Sequence, residues 1–143
     1  ELAKRMGADH VFNPREVVPH QVVRELTSGE GADMQVEAAG APEKTIEHMQ
    51  QSLAITGKIT VIARAAKHVP MFLETFQVRR SQLYGSQGHS GHSIFPSVIR
   101  MMAAGRIDTL PMITTRFPLQ KAVEAIKYLS GNRDEGKIML RPE

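Results

Sequence analysis

At 143 residues, 41% hydrophobic and 23% charged, the chain is long enough for one ordinary domain with a real core and has the makeup of a globular protein. Its net charge of +3 is modest, its basic residues are scattered, and two Tyr with no Trp leave little to stack bases, so no nucleic acid is expected as a partner. The absence of cysteine removes disulfides, thiolate chemistry and Cys-type zinc sites from the chain, and with no apolar run near the ~18–20 residues of a membrane helix and no signal-peptide pattern, no membrane and a cytoplasmic location are expected.

Residues 1–6 read as the end of a helix, with Leu2, Ala3 and Met6 apolar and Gly7 as its stop. A chain that opens inside an element, without a cap, is expected to be a piece of something longer. Ala8-Asp9-His10-Val11-Phe12-Asn13-Pro14 predicts a short buried strand closed by an Asn-Pro turn. Val18, Val22, Val23 and Leu26 share one face and predict a helix over 17–26, ended by Ser28-Gly29-Glu30-Gly31. Residues 34–39 predict the next strand, apolar except for Gln35 and Glu37 and finishing in Gly40. Pro42 and Glu43 open another helix, whose apolar face is Ile46, Met49 and Leu53. Gly57 then restarts the chain as a strand over 58–63.

Residues 64–80 are the least regular stretch, with Val69-Pro70 extended and a short helix over 72–78. A strand over 81–84 runs into Gly85-Ser86-Gln87-Gly88-His89-Ser90-Gly91-His92, and a helix over 94–104 follows. Its Ile94, Val98, Met101 and Met102 are expected to be buried, and Gly105 stops it. Beyond Ile107 the character changes: residues 111–118 read as extended, Leu119, Ala122, Val123, Ile126 and Leu129 mark a helix ended by Gly131-Asn132, and Gly136-Lys137-Ile138-Met139-Leu140 is a last strand. Helices and strands alternating over short connections predict an α/β fold with a parallel sheet and helical crossovers. The methionines sit at helical spacing and read as core filler.

In open α/β sheets the carboxyl ends of the strands line a crevice, and glycine lets a ligand approach the main chain. Three strand ends fit that description: Ala38-Ala39-Gly40, Ile62-Ala63-Arg64 and Gly85-Ser86-Gln87-Gly88. They are expected along one edge, although each also reads as ordinary strand termination. Glu37 suits a hydrogen-bonding strand-end residue better than a general base. His89 and His92, three apart, invite a metal reading, but no third ligand is near in sequence, and contact with substrate or a partner subunit fits better. No Gly-x-Ser-x-Gly elbow supports hydrolase chemistry.

Several local strings carry a resemblance. Gly7-Ala8-Asp9-His10-Val11, residues 33–40 with their Glu37-Ala38-Ala39-Gly40 end, Gly57-Lys58-Ile59, Phe117-Pro118-Leu119 and Gly136-Lys137-Ile138-Met139-Leu140 together resemble medium-chain, zinc-dependent alcohol/polyol dehydrogenases over essentially the whole chain. Phe76-Gln77-Val78-Arg79-Arg80 and residues 85–92 resemble the branch that oxidises cyclic polyols, the scyllo-inosose 3-dehydrogenase type, with sorbitol, threonine and simple alcohol dehydrogenases still open.

The resemblance implies a partial doubly wound (Rossmann-type) parallel sheet lacking its first two strands. Residues 1–107 would form part of a dinucleotide-binding domain, and residues 108–143 a strand-helix-strand segment that returns toward a catalytic domain absent from the chain. The implied reaction is hydride transfer between NAD or NADP and a carbinol carbon of a small alcohol or polyol, with zinc polarising the alcohol oxygen. The zinc ligands and the Gly-x-Gly-x-x-Gly turn would lie outside this chain, leaving it no catalytic and no metal residue and making it inactive alone.

On the same likeness, main-chain groups of Gly85, Ser86, Gln87 and Gly88 hold the nicotinamide carboxamide, and Ile62, Ala63 and Arg64 flank its ring, with Ala63 where many relatives have Gly. Ala38, Ala39 and Gly40 lie beside the cofactor ribose, and Lys137 reaches the pyrophosphate unless it is simply a solvated lysine. A strand over 8–13 would lack its sheet neighbour and expose a backbone edge unless paired elsewhere. The resemblance also implies a homo-oligomer formed through the strand near Ser81 and Gly85. A reading of another class is a non-catalytic α/β binding or assembly module that uses the sheet edge and the 85–92 loop.

Overall fold

A computed structural model describes residues 1–88, 93–132 and 135–142. In chain order its elements are α1 (Leu2–Arg5), α2 (Pro19–Leu26), β1 (Ala32–Glu37), α3 (Pro42–Gln51), β2 (Leu53–Val61), α4 (Leu73–Arg79), β3 (Gln82–Gly85), α5 (Ile94–Ala103), β4 (Ile113–Pro118), α6 (Ala122–Gly131) and β5 (Lys137–Arg141), with single 3-10 turns at Leu110–Met112 and Leu119–Lys121. They fall into two units, Phe12–Ser90 and Glu1–Val11 with Gly91–Glu143. No helix among the described residues is long and apolar enough to cross a membrane.

The first unit carries a parallel sheet in the order β1-β2-β3. Pro at the first turn starts both α2 and α3, where its missing N–H would have had no helical partner. Ile46 of α3 packs on Leu53 and Ile59 of β2, and the cluster is completed by Met49, Val61, Val69, Met71 and Phe76. Leu53, expected on the face of α3, instead opens β2 and is fully buried. The strand therefore starts before Gly57, and its pairing with β1 slips between Ala32, opposite Leu53, and Met34, opposite Lys58. Helical spacing alone cannot tell the last turn of a helix from an apolar strand that follows at once.

Arg24 fastens α2 to this unit. Its guanidinium donates to the Gln51 carbonyl, from Nε at 3.2 Å and Nη2 at 2.9 Å, and to the Gly29 carbonyl. His20 and His48 join α2 to α3 with their Nδ1 atoms 2.8 Å apart. One of the two must carry the Nδ1 proton and the other accept it.

α4 ends at Arg80, whose φ of 52° lies in the left-handed region. Its N–H donates to the Gln77 carbonyl at 3.2 Å, and Ser81 N–H reaches back to the Phe76 carbonyl at 2.9 Å, the hydrogen-bond pair of a cap that favours glycine. Arg80→Gly is expected to raise stability by about 1 kcal/mol, measured as a higher urea midpoint at unchanged slope.

The expected strand over 8–13 does not form. The described sheets consist of β1-β2-β3 and β4-β5 alone, and residues 8–13 join neither. A strand exists only in a ladder, so the apolar pattern of this segment is not enough without an adjacent edge of matching register.

In the second unit β4 and β5 pair in parallel. Glu135, just before β5, accepts hydrogen bonds from the hydroxyls of Thr114 and Thr115 on β4 and from Tyr128 on α6, the last two at 2.9 and 3.0 Å. The Thr114 bond, followed by those of Thr115 and Tyr128, holds the Glu135 carboxyl below its ordinary value of 4.5 against an opposing desolvation effect, while Glu135 pushes Tyr128 above 10.0. A carboxyl whose value is depressed on folding stabilises the fold above its unfolded value and loses that contribution as pH falls through the folded one. The stability gap between the protein and Glu135→Gln, open at neutral pH, is therefore expected to close below pH 4.5 in acid-unfolding curves.

The apolar face of α5 is not buried as expected: Ile94, Val98, Met101 and Met102 are 43%, 38%, 41% and 42% exposed. Periodicity defines which face of a helix is apolar, not what covers it. The methionines divide accordingly, Met49 and Met71 packing on the core and Met34 standing exposed on β1.

Candidate functional site

The register of the first sheet brings three strand ends level. Glu37 of β1 pairs with Val61 of β2, and Val61 pairs with Gly85 of β3. Hydrogen bonding continues past the last paired residues. The Glu37 carbonyl accepts from the N–H groups of Ile62 at 2.9 Å and Ala63 at 3.3 Å, and the Val61 carbonyl accepts from Ser86 N–H at 2.9 Å. The segments after the three strands thus form one continuous wall at the carboxyl edge of the sheet, as their sequence suggested.

Within this wall Ala38, Ala39 and Gly40 are exposed, Ala63 is half-buried between exposed Ile62 and Arg64, and Gly85, Ser86, Gln87 and Gly88 are exposed. Gly40 runs beside the second segment: a Cβ on it would meet the Arg64 carbonyl at 3.6 Å and the Ala63 methyl at 3.7 Å. Among the described residues nothing lies within 4 Å of a Cβ built at Gly85 or Gly88, so against them the main chain there is open. Lys137 opens β5 in the other unit and is exposed. His89 and His92 lie outside the described residues.

Beside the first segment a cleft of about 840 Å³ opens between β1, α2 and α3. Its lining includes Ala38, Ala39 and Ala41 with Pro14, Arg15 and Lys44. Glu37, at the end of β1, is only 2% exposed. Its Oε1 accepts the Ala39 N–H at 3.0 Å, while Oε2 is buried with no hydrogen-bond partner among the described residues. Pro14, Arg15 and Lys44 were not among the residues expected at a site. Lys44 had a usable signal, because it lies in the first turn of the helix that follows a strand end. Arg15 had none, since only the folded chain brings it beside residues 38–41.

The chain matches the family model described as zinc-binding dehydrogenase over residues 1–104. It belongs to the zinc-binding dehydrogenase family. Among curated relatives it is 36% identical to a scyllo-inosose 3-dehydrogenase of Thermotoga maritima, covering 99% of this chain and 37% of that one. It is 30% identical to an NAD-dependent alcohol dehydrogenase of Sulfurisphaera tokodaii, covering 99% and 40%. A solved Thermotoga maritima structure, 37% identical, superimposes with a TM-score of 0.89 over 97% of this chain and 36% of that one. At 23% identity, 2R,3R-butanediol dehydrogenase from Bacillus subtilis shares the fold, with a TM-score of 0.87.

This zinc-binding dehydrogenase chain therefore spans well under half the length of these relatives, and its α/β architecture is that of their matching portion. Among the described residues no group of three His, Cys, Asp or Glu side chains is placed to hold a metal ion. A planar cofactor fits the wall better. No described residue covers the main chain at Gly85 and Gly88, only small side chains stand at 38–40, and an adjoining cleft has cations in its lining.

Proposed function

We propose that this chain supplies part of the nicotinamide-cofactor site of an NAD- or NADP-dependent alcohol or polyol dehydrogenase. The observation that carries the reading is the level register of Glu37, Val61 and Gly85, which sets the three segments of family-like sequence side by side at the carboxyl edge of a parallel sheet. Bound there, the cofactor would carry hydride to or from a carbinol carbon. The chain's own part is to bind and orient it. The main chain of Gly85, Ser86, Gln87 and Gly88 meets the carboxamide, and Ile62, Ala63 and Arg64 support the ring. Ala38, Ala39 and Gly40 adjoin the ribose, and the cleft next to them takes the nucleotide end.

In this reading residues 1–107 belong to the cofactor domain and residues 108–143 return to a catalytic domain that carries the zinc. The likeness to the scyllo-inosose enzyme supports a cyclic polyol as substrate. Titration with NADH and NADPH, read from backbone amide shifts, tests the cofactor site. Alcohol-dependent NAD or NADP reduction by the chain alone is not expected, and its detection contradicts the division of labour.

Among the described residues β3 has β2 on one side only, and Leu83 and Tyr84 on it are 46% and 45% exposed. An open edge of this kind suits pairing with the same strand of a second copy. Sedimentation is expected to give a dimer that Leu83→Pro converts to a monomer, since proline removes an edge donor.

A further inference from the structure

We infer that Glu37 is a positioning residue for the cofactor wall, its carboxylate fixing the turn at Ala39 while its own carbonyl fixes the neighbouring strand end. The inference rests on the cofactor reading above. Three hydrogen bonds converge on this residue: Ala39 N–H on Oε1 at 3.0 Å, and the N–H groups of Ile62 at 2.9 Å and Ala63 at 3.3 Å on the main-chain oxygen. Two of the three proposed contact segments are thereby set relative to each other through one residue.

The carbonyl bonds need no particular side chain, because any residue at this point of β1 would offer the same oxygen. The carboxylate is different. It is buried to 2% exposure, and its second oxygen has neither water access nor a partner among the described residues. A buried acceptor left unpaired opposes folding, and a charged one does so more strongly. An apolar side chain of the same size would remove that cost. Ala39, the residue whose N–H it accepts, is itself exposed. A carboxylate with one oxygen buried and unpaired is a costly way to stabilise a fold, and the side-chain hydrogen bond it makes among the described residues falls inside the wall. An unfavourable burial whose return is a fixed main-chain turn beside a binding cleft is the arrangement of a supporting group.

Glu37→Met and Glu37→Gln separate this role from a structural one. Methionine fills the volume without an acceptor, whereas the glutamine amide oxygen still accepts from Ala39. Three measurements on the full chain decide the matter: amide hydrogen exchange at Ala39 and Gly40 relative to Ile59, thermal unfolding, and NADH affinity by titration. In Glu37→Met, exchange at Ala39 and Gly40 is expected to accelerate about tenfold with no fall in the melting temperature, and the NADH dissociation constant to rise about tenfold. Glu37→Gln is expected to restore both to within about threefold of the parent.

Unchanged exchange at Ala39 in Glu37→Met overturns the inference. So does a Glu37→Met protein that fails to fold while Glu37→Gln folds, because the side chain would then be a structural strut. A parent chain that binds no NADH overturns the cofactor reading itself, and the exchange comparison then decides separately whether Glu37 holds the turn.

Discussion

Replacing Gly31 with alanine is expected to destabilise the protein by about 3 kcal/mol or more. A Cβ at this position would lie 2.6 Å from the Ser52 carbonyl oxygen, 2.9 Å from the Ala54 nitrogen and 2.9 Å from the Leu53 carbonyl carbon, all main-chain atoms that cannot swing aside. The φ of +90° adds a conformational penalty for any L side chain. Gly31 also sits at the junction that starts the sheet. Its N–H donates to Thr27 Oγ1 at 2.8 Å, and the next residue's N–H donates to the same Ser52 carbonyl at 2.8 Å. Pushing the β1 entry away from Ser52 would disturb the start of β2 and with it buried Leu53. Urea unfolding checks the magnitude. A midpoint unchanged from the parent would mean that β1 and β2 do not approach this closely.

Gly85→Val is the opposite case. Among the described residues no heavy atom lies within 4 Å of its Cβ position, its φ is outside the left-handed region, and valine suits a strand. Stability is expected to change by less than about 0.5 kcal/mol. Yet in the proposed site the side chain would stand where the cofactor approaches the main chain, and affinity for NADH is expected to fall at least about a hundredfold, an overpacking cost of ~3 kcal/mol in the bound state. Isothermal titration or amide-shift titration of the variant, with its urea curve measured in parallel, separates lost binding from lost folding. Binding equal to that of the parent would place the cofactor elsewhere.

These two glycines show what the sequence could and could not disclose. Both looked like turn residues at the margins of elements. The strand-end setting of Gly85 was readable, because an apolar strand passing into a glycine-rich stretch before a helix is a local pattern. The crowding at Gly31 was not, because Ser52 and Leu53 reach it only through the slipped start of the β1-β2 pairing. The same division runs through the rest of the molecule. Most helices and strands followed from spacing and from Pro and Gly punctuation, within a residue or two. Burial on α5 did not, and neither did the fate of residues 8–13, since both depend on what lies against them.

At the site, Ala38, Ala39, Gly40, Ile62, Ala63, Arg64 and residues 85–88 were readable as strand ends, and parallel pairing then set them level. Arg15 and Lys44 became visible only with the cleft. Glu37 was readable as a hydrogen-bonding strand-end residue, but its unpaired second oxygen was not, because burial is a property of the assembled sheet.

The most direct test is to add NADH to the isotopically labelled chain and follow every backbone amide. The expected result is a saturable set of shifts confined to Ala38, Ala39, Gly40, Ile62, Ala63, Arg64 and residues 85–88, with the residues lining the neighbouring cleft, and their loss in Gly85→Val. Saturable shifts clustered away from this edge, or none at millimolar NADH in a folded chain, would contradict a cofactor site at the level ends of β1, β2 and β3.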